Sequence, residues 1–181
     1  MHQEIMALAR ELHDRHAIEA CLLRYCRGID RLDRELMLSA YHDDAIDDHG
    51  LVVLSAADFV DWAIDFHRRT NPVHHHAITN LTIDLEGDVA HTECYYSFFG
   101  TRSGEPTILS FGRYVDRFER RDGLWGIATR FCFTEAVHEL PVAMLPEGVA
   151  QVLYANGPQD RSRADASYLR PLLPNRPPAN G

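Results

Sequence analysis

Three consecutive histidines, His74, His75 and His76, follow the break Asn71-Pro72 in the stretch NPVHHHAITN. Imidazole has an unperturbed pKa close to neutral, so each of the three is a candidate general base or metal ligand. A β-strand sends successive side chains to opposite faces, which pairs His74 with His76 and turns His75 away. A His-x-His pair on a strand holds zinc only with a third ligand, and His49 or Asp47 in DDAIDDHG (43 to 50) would have to supply it. We expect no metal. His76 then has two readings, a base for proton transfer or a hydrogen-bonded core histidine. His74 and His75 read as surface or interface residues. Asp47 either faces a pocket and touches substrate or is a solvated carboxylate.

The elements that would position these groups come in two blocks. Ile18, Cys21, Leu22, Tyr25, Cys26 and Ile29 fall on one helical face, predicting a helix from about Asp14 to Asp30 with Gly28 loosening its last turn. Asp30 lies at the edge of that stripe, near a helix C-terminus where negative charge is disfavoured. It is either a turn residue, as Asp33 is, or the partner of a nearby cation. Tyr25 shares the apolar face and either packs or points its phenol into a cavity. A short helical stretch carries Leu36, Met37, Ala40 and Tyr41. Ser55 with Asp58 forms a capping box that opens a third helix, with the stripe Phe59, Val60, Ala63, Ile64 and His67. Asn71-Pro72 ends it.

From His74 onward the chain is rich in β-branched and aromatic residues that roughly alternate in polarity, with turns at EGD (86 to 88) and RRDG (120 to 123). Apolar parity shifts between Ile78 and Leu81, which predicts a bulge and a strongly curved strand. Arg130 alternates with Thr129 and Phe131 and faces either a pocket or a subunit contact. Phe98, Phe111, Phe131 and Phe133 are expected wall residues, and an aromatic-lined hollow favours a hydrophobic, ring-bearing ligand. Helices followed by antiparallel strands give an α+β fold, a curved sheet wrapped on N-terminal helices over residues 1–140. Residues 141–181 form a Pro-rich, irregular extension, disordered or draped over a neighbouring subunit.

The bulk of the chain narrows the partners. Its 181 residues, with 45% apolar and 25% charged, suit one soluble domain. A net charge of −9 argues against nucleic acid and anionic membranes. No apolar run reaches membrane-spanning length, and the start MHQEIMALARELHD is polar rather than signal-like. Cys21, Cys26, Cys94 and Cys132 are scattered singly, which suits reduced, buried thiols in a cytoplasmic protein.

RYCRGIDRLDRELMLSAYHDDAIDDHG (24 to 50) resembles the opening of SnoaL-like proteins of the nuclear transport factor 2-like superfamily, and GRYVDRFERRDGLWGIATR (112 to 130) resembles their last hairpin. The resemblance implies a cone-shaped α+β barrel. Within the superfamily the chain is most similar to the branch of scytalone dehydratase, bile-acid dehydratase and hexachlorocyclohexane dehydrochlorinase. That branch uses an aspartate at the end of the first helix and a histidine four residues before an asparagine. Asp30 and His76, the latter preceding Asn80, match these positions. Tyr25 matches a tyrosine of the bile-acid enzyme, and Arg130, five residues after Trp125, an arginine of the dehydrochlorinase. The chain lacks other acidic and basic pocket residues of the bile-acid enzyme.

The resemblance implies a lyase that eliminates water, or a halide, from a cyclic substrate. His76 would take a proton from carbon, and Asp30 would fix its tautomer and balance the imidazolium. Tyr25 would polarise a carbonyl or protonate a departing hydroxyl, and Arg130 would stabilise an anion. No cofactor is needed, and the sequence has neither a glycine-rich phosphate loop nor a dinucleotide fingerprint. Two other functions suit the same fold: a ketosteroid-isomerase- or polyketide-cyclase-like isomerase in which an acidic residue moves the proton, and a non-catalytic ligand-binding or dioxygenase small-subunit-like module. The branch also implies a homo-oligomer, a trimer before a dimer.

Overall fold

In the computed structural model, which describes residues 1–157 and 160–174, the N-terminal apolar stripe folds as a single helix, α1 (His2–Arg31). It begins a dozen residues earlier than the stripe predicts. Residues 2–13 are exposed all round, so no buried face announces them, and contacts such as Arg15 to Glu11 at 2.9 Å support the turns from outside. Asp14 marks where burial starts: its carboxylate accepts from Trp125 Nε1 at 2.9 Å and from Arg120 Nη1 at 3.0 Å, tying the helix to the last hairpin.

α1 ends at Leu32, which takes a left-handed conformation (φ 51°), while the Leu32 and Asp33 N–H groups donate back to the carbonyls of Ile29 and Gly28. Asp33 then caps α2 (Arg34–Leu38) by accepting from Leu36 N at 3.1 Å. Gly28 is a point of close approach rather than a loosened turn. A Cβ there would stand 2.4 Å from the Met37 backbone nitrogen, so only glycine lets α2 lie against α1. Ser55 caps α3 (Ala56–Thr70), whose residues Phe59, Val60, Ala63 and Ile64 are buried.

Six strands make one curved, unclosed sheet in the order β2-β1-β6-β5-β4-β3. The long strands β3 (His74–Glu86), β4 (Val89–Arg102), β5 (Glu105–Arg121) and β6 (Leu124–Leu140) run antiparallel through tight turns. Asp122 and Gly123 both have positive φ, the requirement of a two-residue turn whose twist matches the strands it joins. The parity shift after Ile78 is a register break between Thr79 and Thr82, with Asn80 at φ 51°. DDAIDDHG belongs largely to β1 (Tyr41–Asp48), which pairs parallel with β6 and antiparallel with β2 (Val53–Ser55). α1 and α3 pack on the inner face of the sheet, and the core between them joins Ile18, Leu22, Phe59 and Val60 to Cys94, Tyr114, Phe118 and Ile127.

Beyond β6 the chain carries a short helix, α4 (Val149–Leu153), and a segment that returns to its own helices. There the Arg27 guanidinium lies 4.9 Å from the Tyr168 ring centre, Tyr168 donates to Asp33 at 3.3 Å, and Arg31 lies 3.8 Å from Asp165. The last part of the expected irregular extension, residues 175–181, lies outside the described residues. No described helix is long and apolar enough to cross a membrane.

Candidate active site

The end of α1 and the start of β3 meet at Asp30. Its two carboxylate oxygens each accept from the His76 backbone N–H at 3.0 Å, and Oδ1 lies 2.8 Å from His76 Nδ1. One carboxylate therefore fixes both the strand and the ring. With Nδ1–H donated to Asp30, the tautomer leaves a lone pair on Nε2. The imidazole packs against Phe98 with centroids 5.0 Å apart and meets His67 edge-on at 5.5 Å. His76, Tyr25 and Phe98 line a cavity of about 170 Å³. Its remaining wall is mostly aromatic, with Phe59, Trp62 and Phe66 from α3 and Tyr96 and Tyr114 from the sheet.

His74 is wholly buried, which corrects its reading as a surface or interface residue. It shares the inward parity of His76 but lies one pair nearer the helix end. There its Nε2 donates to the Ile29 carbonyl at 3.0 Å and its Nδ1 accepts from Arg161 at 3.1 Å. Burial pushes its pKa down to about 4, and burial pushes that of His67, stacked on it at 4.3 Å, down to about 2. The two rings are neutral packing units at pH 7. His75 points outward and is exposed.

Asp30, His74 and His76 also bring a carboxylate oxygen and two ring nitrogens within 4.8 Å of one another. Oδ1 of Asp30 is bonded to His76 Nδ1, and Nε2 of His74 to the Ile29 carbonyl. Neither His49 nor Asp47 joins the group.

Arg130 does not line the cavity. Its inward parity buries it completely behind Tyr25, where it forks onto Asp116 with two contacts of 2.7 Å. Its guanidinium lies 4.2 Å from the ring centres of both Tyr25 and Tyr114. Burial opposes its charge, and Asp116 more than offsets that, leaving its pKa raised. This corrects its expected contact with a leaving anion: the side chain supports Tyr25 from the far side.

Asp47 is likewise a buried residue and not a solvated or substrate-facing one. It accepts from Tyr41 Oη at 2.6 Å and lies 2.9 Å from His49 Nδ1. His49 is on the cavity wall, a place the sequence reading considered only for metal. The Asp-x-His spacing was the available signal, since extended backbone running off the end of a strand puts both residues on one face.

Phe111, Phe131 and Phe133 are exposed and absent from the cavity, which corrects their reading as wall residues. The alternation of β5 and β6 sends Ser110, Cys132 and Thr134 inward and these phenylalanines outward. The small inward residues are what leave room for a ligand.

The sequence profile of the SnoaL-like domain matches residues 10–130, most of the chain. The chain belongs to this SnoaL-like family. Solved structures similar to this SnoaL-like chain share its nuclear transport factor 2-like fold. A hexachlorocyclohexane dehydrochlorinase (LinA) of type 2 superposes with a TM-score of 0.69 at 22% identity, covering 77% of this chain and 97% of that one. The LinA-type3 enzyme of Novosphingobium barchaimii gives 0.68 at 21% identity over 75% and 97% of the two chains. A putative scytalone dehydratase from Novosphingobium aromaticivorans gives 0.65 at 20% identity over 76% and 95%. No curated protein matches the sequence significantly.

Proposed function

We propose that the protein is a cofactor-free lyase that eliminates a group from a hydrophobic cyclic small molecule, with His76 as the base and Asp30 as its partner. The observation that carries this reading is the 2.8 Å contact between Asp30 and His76 Nδ1 beside an aromatic cavity. Nε2 of His76 takes a proton from carbon, and the carboxylate balances the positive ring that results. Tyr25 brings the phenol that orients or polarises the substrate, and its pKa, pushed up by burial, keeps it a donor. Fold neighbours described as dehydrochlorinases and a putative dehydratase add support by analogy. An isomerase in which the carboxylate itself carries the proton fits less well, because both Asp30 oxygens are engaged by the His76 backbone.

The test is turnover of fused-ring hydroxy ketones, followed by absorbance of the conjugated product. His76→Ala and Asp30→Asn should each keep the native circular dichroism spectrum and lose roughly 10²–10⁴-fold in rate. Undiminished turnover in either folded variant removes the reading.

A further inference from the structure

A second carboxylate–imidazole pair belongs to the same cavity. Asp47 lies near the end of β1 and His49 just past it, two residues on, and Asp47 Oδ1 stands 2.9 Å from His49 Nδ1. Tyr41 Oη donates to the other Asp47 oxygen at 2.6 Å, so the carboxylate is fixed from both sides. The His49 ring stacks on Phe59 at 4.7 Å. Two contacts thus orient it, and Nε2 is the nitrogen not committed to the carboxylate. From His49 the wall runs through Phe59, Trp62, Phe66 and His67 to His76, each ring touching the next. The two pairs therefore occupy separate places on the wall of one hollow.

Their surroundings also differ. Burial disfavours a charged His49, but its bonds to Asp47 and Cys132 outweigh this and push its pKa up to about 9. The groups around the ring are Asp47 on β1, Cys132 on β6, Tyr114 on β5 and His67 on α3. His67 is neutral, and Arg130 behind Tyr114 is held by Asp116. His49 is thus a proton donor across the neutral range, whereas His67 and His74, pushed down by burial, are not.

We propose that His49, held by Asp47, is a general acid of this site, protonating the oxygen that leaves as His76 removes the proton from carbon. The inference rests on the lyase reading and narrows it. Hydroxide needs a proton to depart and chloride does not, so the acid serves a cyclic β-hydroxy carbonyl compound, while the matching β-chloro compound can react without it. The carbonyl is required because an imidazole can deprotonate carbon only where the resulting charge is delocalised. The C–H electron pair becomes the new C=C bond and the C–O bond breaks with its pair. The oxygen takes the Nε2 proton of His49 and water departs. His76 ends protonated and His49 neutral; one proton lost from the first to solvent and one gained by the second restore the resting state.

The test uses a matched pair of fused-ring ketones with hydroxyl or chloride at the β carbon. His49→Gln should slow the hydroxy substrate by roughly 10²–10³-fold and the chloro substrate much less, while His76→Ala should slow both alike. Wild-type dehydration should fall above about pH 9, and Asp47→Asn should move that fall towards the ordinary histidine value. In ¹⁵N spectra of the wild-type protein His49 should be an imidazolium at pH 7. A neutral ring there overturns the proposal even if the variants misfold. Equal slowing of both substrates by His49→Gln, or of neither, overturns the acid role alone. Turnover of neither substrate by wild type, or full turnover in His76→Ala, overturns the lyase reading and the acid role with it.

Discussion

Arg130 shows how much of the site depends on a residue that cannot touch substrate. Its fork onto Asp116 is wholly buried, and its guanidinium lies against the rings of both Tyr25 and Tyr114. Removing one partner of such a pair leaves an uncompensated buried charge. Arg130→Met should therefore cost about 3–5 kcal/mol, read as a lower urea midpoint. Pairing it with Asp116→Leu should recover much of that loss, since replacing both partners by apolar groups removes the stranded charge. An unchanged midpoint in the single variant would show that Asp116 finds another partner. Parity explains why the sequence left this residue ambiguous. Strand alternation gives the side of the sheet but not the depth, and Arg130 is inward yet a layer below the cavity. Asp30 and His76 were brought together by the family resemblance, since nothing in their spacing alone says that this helix end meets this strand start. The outward phenylalanines misled because size was taken as a mark of the inside, whereas the cavity exists where inward residues are small, as at Ser110 and Thr134.

At the level of elements, Gly28 sets the geometry on which Asp30 depends. The last turn of α1 lies so close to α2 that a methyl group would overlap Met37 backbone and side-chain atoms at 2.4 to 2.6 Å. Backbone cannot swing aside as a long side chain can, so Gly28→Ala must push the two helices apart. The gain that alanine usually brings within a helix, about 1 kcal/mol, should be outweighed by overpacking of about 1–3 kcal/mol. Thermal melting should show a net loss, and turnover should fall further than stability explains, because Asp30 follows two residues later. A raised melting temperature would refute this. The helical and hairpin blocks were readable because burial imposes a period of 3.6 on one and turn chemistry bounds the other. The first turns of α1 were not, since an exposed helix held by its own side chains has no buried period. β1 was hidden for a related reason: only Tyr41, Ala45 and Asp47 of its eight residues are buried, and one of those is an aspartate.

Across the whole molecule, the histidines oppose one another as pH changes. His74 and His67 are held neutral, with pKa values pushed down to about 4 and about 2, below the ~6.5 of an unfolded chain. Below pH ~6.5 the unfolded state binds protons that the folded state refuses, so these two residues make stability fall with falling pH. His49 has the opposite sign. Its folded value near 9 exceeds the unfolded one, so its contribution is complete below pH ~6.5 and is lost as pH rises through about 9. Stability should therefore peak near neutral pH and decline on both sides. The acid limb reaches the C-terminal segment as well, because Arg161 donates to His74 Nδ1 and to the Asn71 carbonyl. A proton on that Nδ1 removes the acceptor and sets two cations side by side. Urea midpoints measured from pH 4 to 10 should trace this dome. Limited proteolysis should cut near Arg161 at about pH 4, where His74 takes up its proton, before the core unfolds, whereas His74→Asn should remove only its own share of the acid limb. A midpoint constant between pH 7 and 5 would mean that His74 and His67 accept protons within the folded core.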